Sequence, residues 1–184
     1  MKLILIRHGN TEANEKHLYC GSTDLPLSDA GRAALAPRAL PDLPDLRIVT
    51  SGLLRCEQTL EALYGKAPHE TDGAFREMDF GAFEMRSYAE MKDEPAYQAW
   101  ISGDNEANVC PGGESGNQMK ARALSGLERL LADGRDTLLV THGGVIAAIM
   151  ANLFPEENKN RYQWQPAPGG GYIVDLCGKT YSVL

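Results

Sequence analysis

Apolar runs that stop at glycine alternate along this chain with stretches of helical spacing. Leu3-Ile4-Leu5-Ile6 ends in Arg7-His8-Gly9, and Thr137-Leu138-Leu139-Val140 ends in Thr141-His142-Gly143-Gly144. Uninterrupted runs of this length predict strands of a parallel sheet covered on both faces. Residues 46–50 predict another strand and residues 69–71 a short one. Helices are predicted from Ser28 to about Leu40, over 53–64 behind the capping residues Thr50-Ser51-Gly52, near 87–91 and 94–102, from a Ser115 cap to about Ala132, and over Val145 to Leu153. Gly171 to Leu176 and Thr180 to Leu184 predict a closing hairpin turned at Gly178-Lys179. Strands alternating with helices give an α/β layered domain.

The chain has 184 residues, a length suited to one domain, 1–184, around one core. Residues 68–114 break the rhythm, with Gly103-Asp104-Asn105 and Pro111-Gly112-Gly113 as punctuation. Irregular segments inserted into such a sheet build the cover over its active edge, so substrate selection is expected there. A hydrophobic share of 43% and a charged share of 23% exclude a disordered chain. The net charge of -7, with no basic stripe, argues against a nucleic-acid partner. Only four apolar residues precede Arg7, fewer than the roughly 7 to 15 of a secretory core, and no stretch approaches a membrane span. Cys20, Cys56, Cys110 and Cys177 are widely spaced without a C-x-x-C pair, which predicts reduced thiols and neither a zinc site nor a disulfide framework. The expectation is a cytoplasmic monomer or homodimer with no metal and no cofactor.

Open α/β sheets bind ligands beyond the carboxyl ends of their strands, so His8 and His142, far apart in sequence, are expected to become neighbours. Arg7 lies beside His8, and Arg55 falls in the first turn of the helix that starts at the same edge. Two guanidiniums in an acidic protein call for a small anion, and phosphate suits their bidentate forks best. A cation beside His8 favours the neutral, nucleophilic imidazole, and a backbone carbonyl on the other ring nitrogen would fix its tautomer. Phosphoryl transfer gathers charge on equatorial oxygens, which Arg7, Arg55 and His142 can meet, with Asn14 as a neutral donor. The leaving alkoxide needs a proton from a carboxyl group. Glu12, Glu77, Glu84 and Glu114 are the candidates, and spacing does not choose among them.

Arg7-His8-Gly9-Asn10-Thr11, the string Ser51 to Thr59 and Thr141-His142-Gly143-Gly144, in that order, resemble the histidine phosphatase superfamily, and the resemblance runs from Lys2 to the hairpin. It implies a phosphoglycerate-mutase-like fold, a three-layer sandwich with a mostly parallel central sheet. It also implies a phosphohistidine on His8, a phosphate pocket of Arg7, Arg55, Asn14, His142 and Gly143, and Glu77 as the proton donor. Glu77 to Arg86 is most similar to the α-ribazole phosphatase subgroup, which removes the 5′-phosphate of a cobalamin lower-ligand nucleoside. Asn10 stands where the superfamily usually has Glu or Gln, and Phe83 where it commonly has Trp. Neither change removes a phosphate-handling group.

Blander roles are expected for His17 and His69, on polar segments, and packing is the ordinary role of Tyr97, Trp100, Tyr162 and Trp164, which could instead line a wall for an aromatic base. The leading expectation is a metal-independent phosphomonoesterase acting on a small molecule, either a specific or a broad one. A phosphoglycerate mutase is the second, and the compactness of the chain favours hydrolysis over it. A phospho-ligand binding protein without turnover would not need both His8 and Glu77. A metallohydrolase using His8 and His142 is opposed by the adjacent arginines, which repel a divalent cation.

Overall fold

The sheet has six strands in the order β3-β2-β4-β1-β5-β6. In the computed structural model, which describes residues 1–104 and 106–184, the elements run β1 (Lys2–Arg7), α1 (Glu12–Glu15), α2 (Asp29–Ala33), β2 (Arg47–Thr50), α3 (Leu54–Tyr64), β3 (Glu70–Thr71), α4 (Tyr88–Met91), α5 (Pro95–Ile101), α6 (Gly116–Leu131), β4 (Thr137–Thr141), α7 (Gly143–Leu153), β5 (Gly171–Asp175) and β6 (Thr180–Val183). Asn105, part of the predicted punctuation, lies outside the described residues. β3, β2, β4 and β1 are mutually parallel, whereas β5 and β6 add an antiparallel edge. The fold is the α/β sandwich that the residue pattern implies.

The alternation of side chains along each strand creates the layers. Leu3, Leu5, Val49 and Leu139 face α6 and α7, where they meet Met119, Leu127, Val145 and Ile149. Ile4, Ile6, Ile48, Leu138 and Val140 face the other way, against Leu60 and Leu63 of α3 and against Leu27 and Leu35. Both faces of the central strands β1, β2 and β4 are therefore buried, while the edge strands β3 and β6 are largely exposed. In register, Arg7 pairs with Thr141 and Thr50 with Val140, so the three strands end level with one another at the edge that holds the site.

Several boundaries differ from those the sequence predicts, three of them for reasons the structure shows. α2 stops at Ala33 instead of near Leu40, because Pro37 disfavours helical backbone at Ala36, and Pro41 and Pro44 follow. α3 starts at Leu54, and the hydroxyls expected to cap it are used elsewhere: Thr50 Oγ1 accepts from Gly52 N at 3.1 Å and Ser51 turns to His142. α7 starts two residues early, at Gly143, directly after His142. Within 68–114, β3 extends the sheet, and Phe75, Met78, Phe83, Met91, Tyr97 and Trp100 share the core on the α6–α7 side.

Candidate active site

His8 and His142 follow the adjacent strands β1 and β4, and their ring centroids lie 5.1 Å apart at 64°. The His8 backbone N–H donates to Thr141 O at 2.9 Å, which ties the two strand ends together. Gly9 O lies 2.7 Å from His8 Nδ1, so that nitrogen carries the proton and Nε2 keeps its lone pair. Burial, with Arg55 and Arg7 nearby, lowers the His8 pKa to about 3 despite the opposing Gly9 hydrogen bond. His142 is held well below its ordinary value, by burial first and by Arg55 and His8 next. Both rings are neutral near pH 7.

Arg55 is 1% exposed, and its guanidinium meets no carboxylate among the described residues. Nε donates to His142 Nδ1 at 3.3 Å, Nη1 to Thr23 O at 2.8 Å and Nη2 to Gly21 O at 2.7 Å. His142 Nδ1 is thus an acceptor, and its Nε2–H points to Ser51 Oγ at 2.9 Å. Three of the five Arg55 N–H groups are engaged, leaving one on each terminal nitrogen. Arg7 gives Nη1 to Pro166 O at 2.8 Å, while its Nε is buried with no acceptor among the described residues. Neither arginine makes a salt bridge among the described residues. A buried cation without an anion is costly, and Arg55 is in that position, whereas Arg7 is half-buried and feels the Glu77 charge.

Gly143 lies against Arg7, since an added Cβ would stand 3.2 Å from Nε. The next residue, Gly144, donates its N–H to Glu77 Oε2 at 2.9 Å, and Met78 N donates to Glu77 Oε1 at 3.0 Å. The carboxylate of Glu77 is thereby seated at the N-terminus of α7, one residue from Arg7's neighbour. The other carboxylates go elsewhere: Glu12 pairs with Lys16 in the open, Glu114 with Arg122, and Glu84 accepts from the 21–23 backbone. Asn14 uses Oδ1 to accept from Thr11 N and Oγ1, both at 3.0 Å, in the cap of α1.

Ser51 and Thr59 are not singled out by the sequence. Ser51 reads there as a helix cap, yet it orients His142. Thr59 Oγ1 accepts from Gly9 N at 2.9 Å and donates to Arg55 O at 2.6 Å, joining the His8 loop to the helix that carries Arg55. Cys56 lies 3.6 Å from His142 Nε2, and burial pushes its thiol up to about 12. His17 is exposed with positive φ, and His69 pairs with Glu57 at 2.6 Å on the outside of the molecule.

Glu77 itself lines a cavity of about 320 Å³ with Ser22, Arg76, Asp79, Glu114 and Arg122, and a separate one of about 340 Å³ is lined by Met78, Tyr19, Phe80, Trp100, Arg161 and Tyr162. Tyr97 also lines it, with its hydroxyl 2.7 Å from that of Tyr19. Trp164 instead packs with Phe154, Tyr172 and Tyr181 beneath the hairpin. Phe83 is buried against Tyr97 and Trp100. Among the described residues, no three His, Cys, Asp or Glu side chains gather as a metal-ligand set, and no helix is long and apolar enough to cross a membrane.

Residues 3–184 match the sequence model of the histidine phosphatase superfamily (branch 1). The chain is 31% identical to the adenosylcobalamin/α-ribazole phosphatase of Salmonella typhimurium, over 96% of this chain and 91% of that protein. The crystal structure of the α-ribazole phosphatase from Shigella flexneri superposes with a TM-score of 0.81 at 26% identity, covering 100% of this chain and 95% of that one. That of a phosphoglycerate mutase from Thermus thermophilus gives 0.73 at 32% identity, covering 95% and 93%.

Proposed function

This chain belongs to the histidine phosphatase superfamily, and from that premise we propose that it is a metal-independent phosphomonoesterase working through a phosphohistidine on His8. The observation that carries the reading is the Arg55 guanidinium, 1% exposed, unpaired with any carboxylate among the described residues and in contact with one of two neutral imidazoles. A phosphate dianion supplies the missing negative charge, and both free Arg55 N–H groups can reach its oxygens.

In the proposed first step, His8 Nε2 attacks phosphorus and the P–O bond to the leaving alcohol breaks. Nδ1–H stays on Gly9 O and stabilises the ring as it gains positive charge. Arg7, Arg55, His142 and the amide group of Asn14 meet the equatorial oxygens, with Gly143 lining the pocket beside Arg7. Glu77, as the acid, gives its proton to the departing alkoxide. In the second step the Glu77 carboxylate takes a proton from water, whose oxygen attacks phosphorus and frees His8.

Substrate selection falls to the 68–114 segment in this reading, which covers the site within one domain. The cavity that Met78, the chain neighbour of Glu77, helps to line has aromatic walls, and its arginine is neutralised: Arg161 pairs with Glu106 at 2.7 Å. An uncharged leaving group with a flat ring fits such walls better than a carboxylate. α-Ribazole 5′-phosphate has that chemistry, and the Salmonella relative's name supports it. The test is phosphate release in the presence of chelator from α-ribazole 5′-phosphate, glycerol phosphate and 3-phosphoglycerate, with acid-sensitive label trapped on the protein by rapid quench. Label at His8 and preference for the aromatic ester are expected. Label at another residue, or turnover with none, overturns the mechanism; isomerisation of 3-phosphoglycerate without release makes the protein a mutase.

A further inference from the structure

Glu84 and Arg55 each carry a charge that touches no opposite charge among the described residues, yet the same three residues lie between them. The Glu84 carboxylate accepts from the backbone N–H groups of Gly21 at 2.9 Å, Ser22 at 3.0 Å, Thr23 at 3.3 Å and Phe80 at 3.0 Å, and from the Thr23 hydroxyl at 2.6 Å. The carbonyls of Gly21 and Thr23 in turn accept from Arg55 Nη2 and Nη1. One peptide group spans the gap by itself: the Gly21–Ser22 unit takes Arg55 on its C=O and gives its N–H to Glu84.

We propose that Glu84 is a positioning residue for Arg55, acting through residues 21–23. The inference rests on the phosphatase reading above, in which Arg55 binds the phosphoryl oxygens. A carboxylate in direct contact would neutralise the guanidinium and occupy its donors. An interposed peptide instead aligns its dipole between the two charges, fixing the guanidinium while leaving two N–H groups for substrate. Gly21 is required for this, since a Cβ there would overlap the Met78 carbonyl; the segment is wedged against the residue that follows Glu77. The Glu84 carboxylate, fully used as an acceptor, is thereby removed from the candidates for proton donor.

The test is calorimetric binding of inorganic phosphate and orthovanadate to wild type, Glu84→Gln, Arg55→Ala and the double variant, with Tm as the check on folding. Glu84→Gln turns one acceptor arm into a donor that faces the Thr23 N–H and hydroxyl. Its affinity for both anions should fall on the order of tenfold. In the Arg55→Ala background the same change should have an effect within about twofold, a non-additivity that general loosening would not produce. Thr23→Val, which deletes only the hydroxyl donor, should weaken binding in the same direction and serves if Glu84→Gln does not fold. Unchanged affinity in folded Glu84→Gln or Thr23→Val, or equal losses with and without Arg55, overturns the role of Glu84 alone. Wild type that binds neither anion overturns the phosphatase reading and this role with it.

Discussion

Replacing Gly144 with alanine should separate proton donation from phosphate binding. A Cβ built on Gly144 would stand 3.1 Å from Glu77 Cδ and 3.2 Å from Oε2, and closer still to Oε1, where ordinary contact begins near 3.4 Å. Glu77 is half-buried and flexible, so the carboxylate gives way, by about 1 Å, and a misplacement of that size costs on the order of 100-fold in rate. Stability should hardly move. Alanine gains up to about 1 kcal/mol in the first turn of α7, and the lost Gly144 hydrogen bond costs a similar amount, so Tm should shift by a few degrees at most. The assay is kcat/KM for an alkyl phosphate against p-nitrophenyl phosphate, whose leaving group departs without a proton. A loss of about 100-fold on the first and under about tenfold on the second is expected, with unchanged affinity for inorganic phosphate. Glu77→Gln, which removes the proton outright, sets the ceiling for the alkyl ester. Equal losses on both esters, or full activity, would refute the assignment of Glu77.

Two further outcomes follow from burial and shape. The unfolded chain protonates His8 below about pH 6.5, whereas the folded chain keeps it neutral to about 3, so the unfolded state binds more protons in that window and stability falls as pH drops through it, by a few kcal/mol; urea titrations from pH 7 to 4 should show a shallower decline in His8→Gln, and parallel declines would contradict the buried neutral imidazole. Tyr162 is 74% exposed at the rim of the aromatic cavity, so Tyr162→Ala should fold normally and lose roughly tenfold in kcat/KM on an aromatic nucleoside 5′-phosphate while glycerol phosphate is unaffected; equal effects on both would remove the cavity from substrate selection.

The chemistry at strand ends is legible in the sequence because it depends only on local pattern. An apolar run that stops at His-Gly places its imidazole at the sheet edge, and two such runs in parallel register place two imidazoles side by side, as His8 and His142 are. Arg55 is legible for the same reason, one turn beyond β2. Glu77 is not, since it reaches the edge through an irregular loop and is seated by a glycine 67 residues away. Ser51 carries an ambiguous signal: a hydroxyl after a strand satisfies either a helix cap or a neighbouring ring, and the tertiary contact with His142 wins. Glu84 and Glu77 look alike in sequence and differ only in which backbone meets them. Spacing alone overstates the length of α2, because the helical pattern continues past Ala33 while three prolines forbid the backbone to follow it.

The arrangement to which the proposed mechanism assigns reactivity also carries an electrostatic cost. Arg55 carries buried charge with only carbonyls and an imidazole as partners, Arg7 is half-buried with the Glu77 charge acting on it, and His8 and His142 stay neutral because burial, and then the neighbouring arginines, disfavour their charged forms. A phosphate dianion bound as proposed would offset that cost. The arginines gain counter-charge, and a His142 proton, refused in the empty site, becomes favourable beside phosphoryl oxygen, at the expense of the Arg55 Nε contact. In the proposed mechanism the gain grows further as negative charge accumulates on the equatorial oxygens during transfer, since residues 21–23 already hold the Arg55 terminal nitrogens in place. On the proposed mechanism the stability given up at the sheet edge is recovered more fully by the transition state than by the bound ester, which is the condition for catalysis over mere binding.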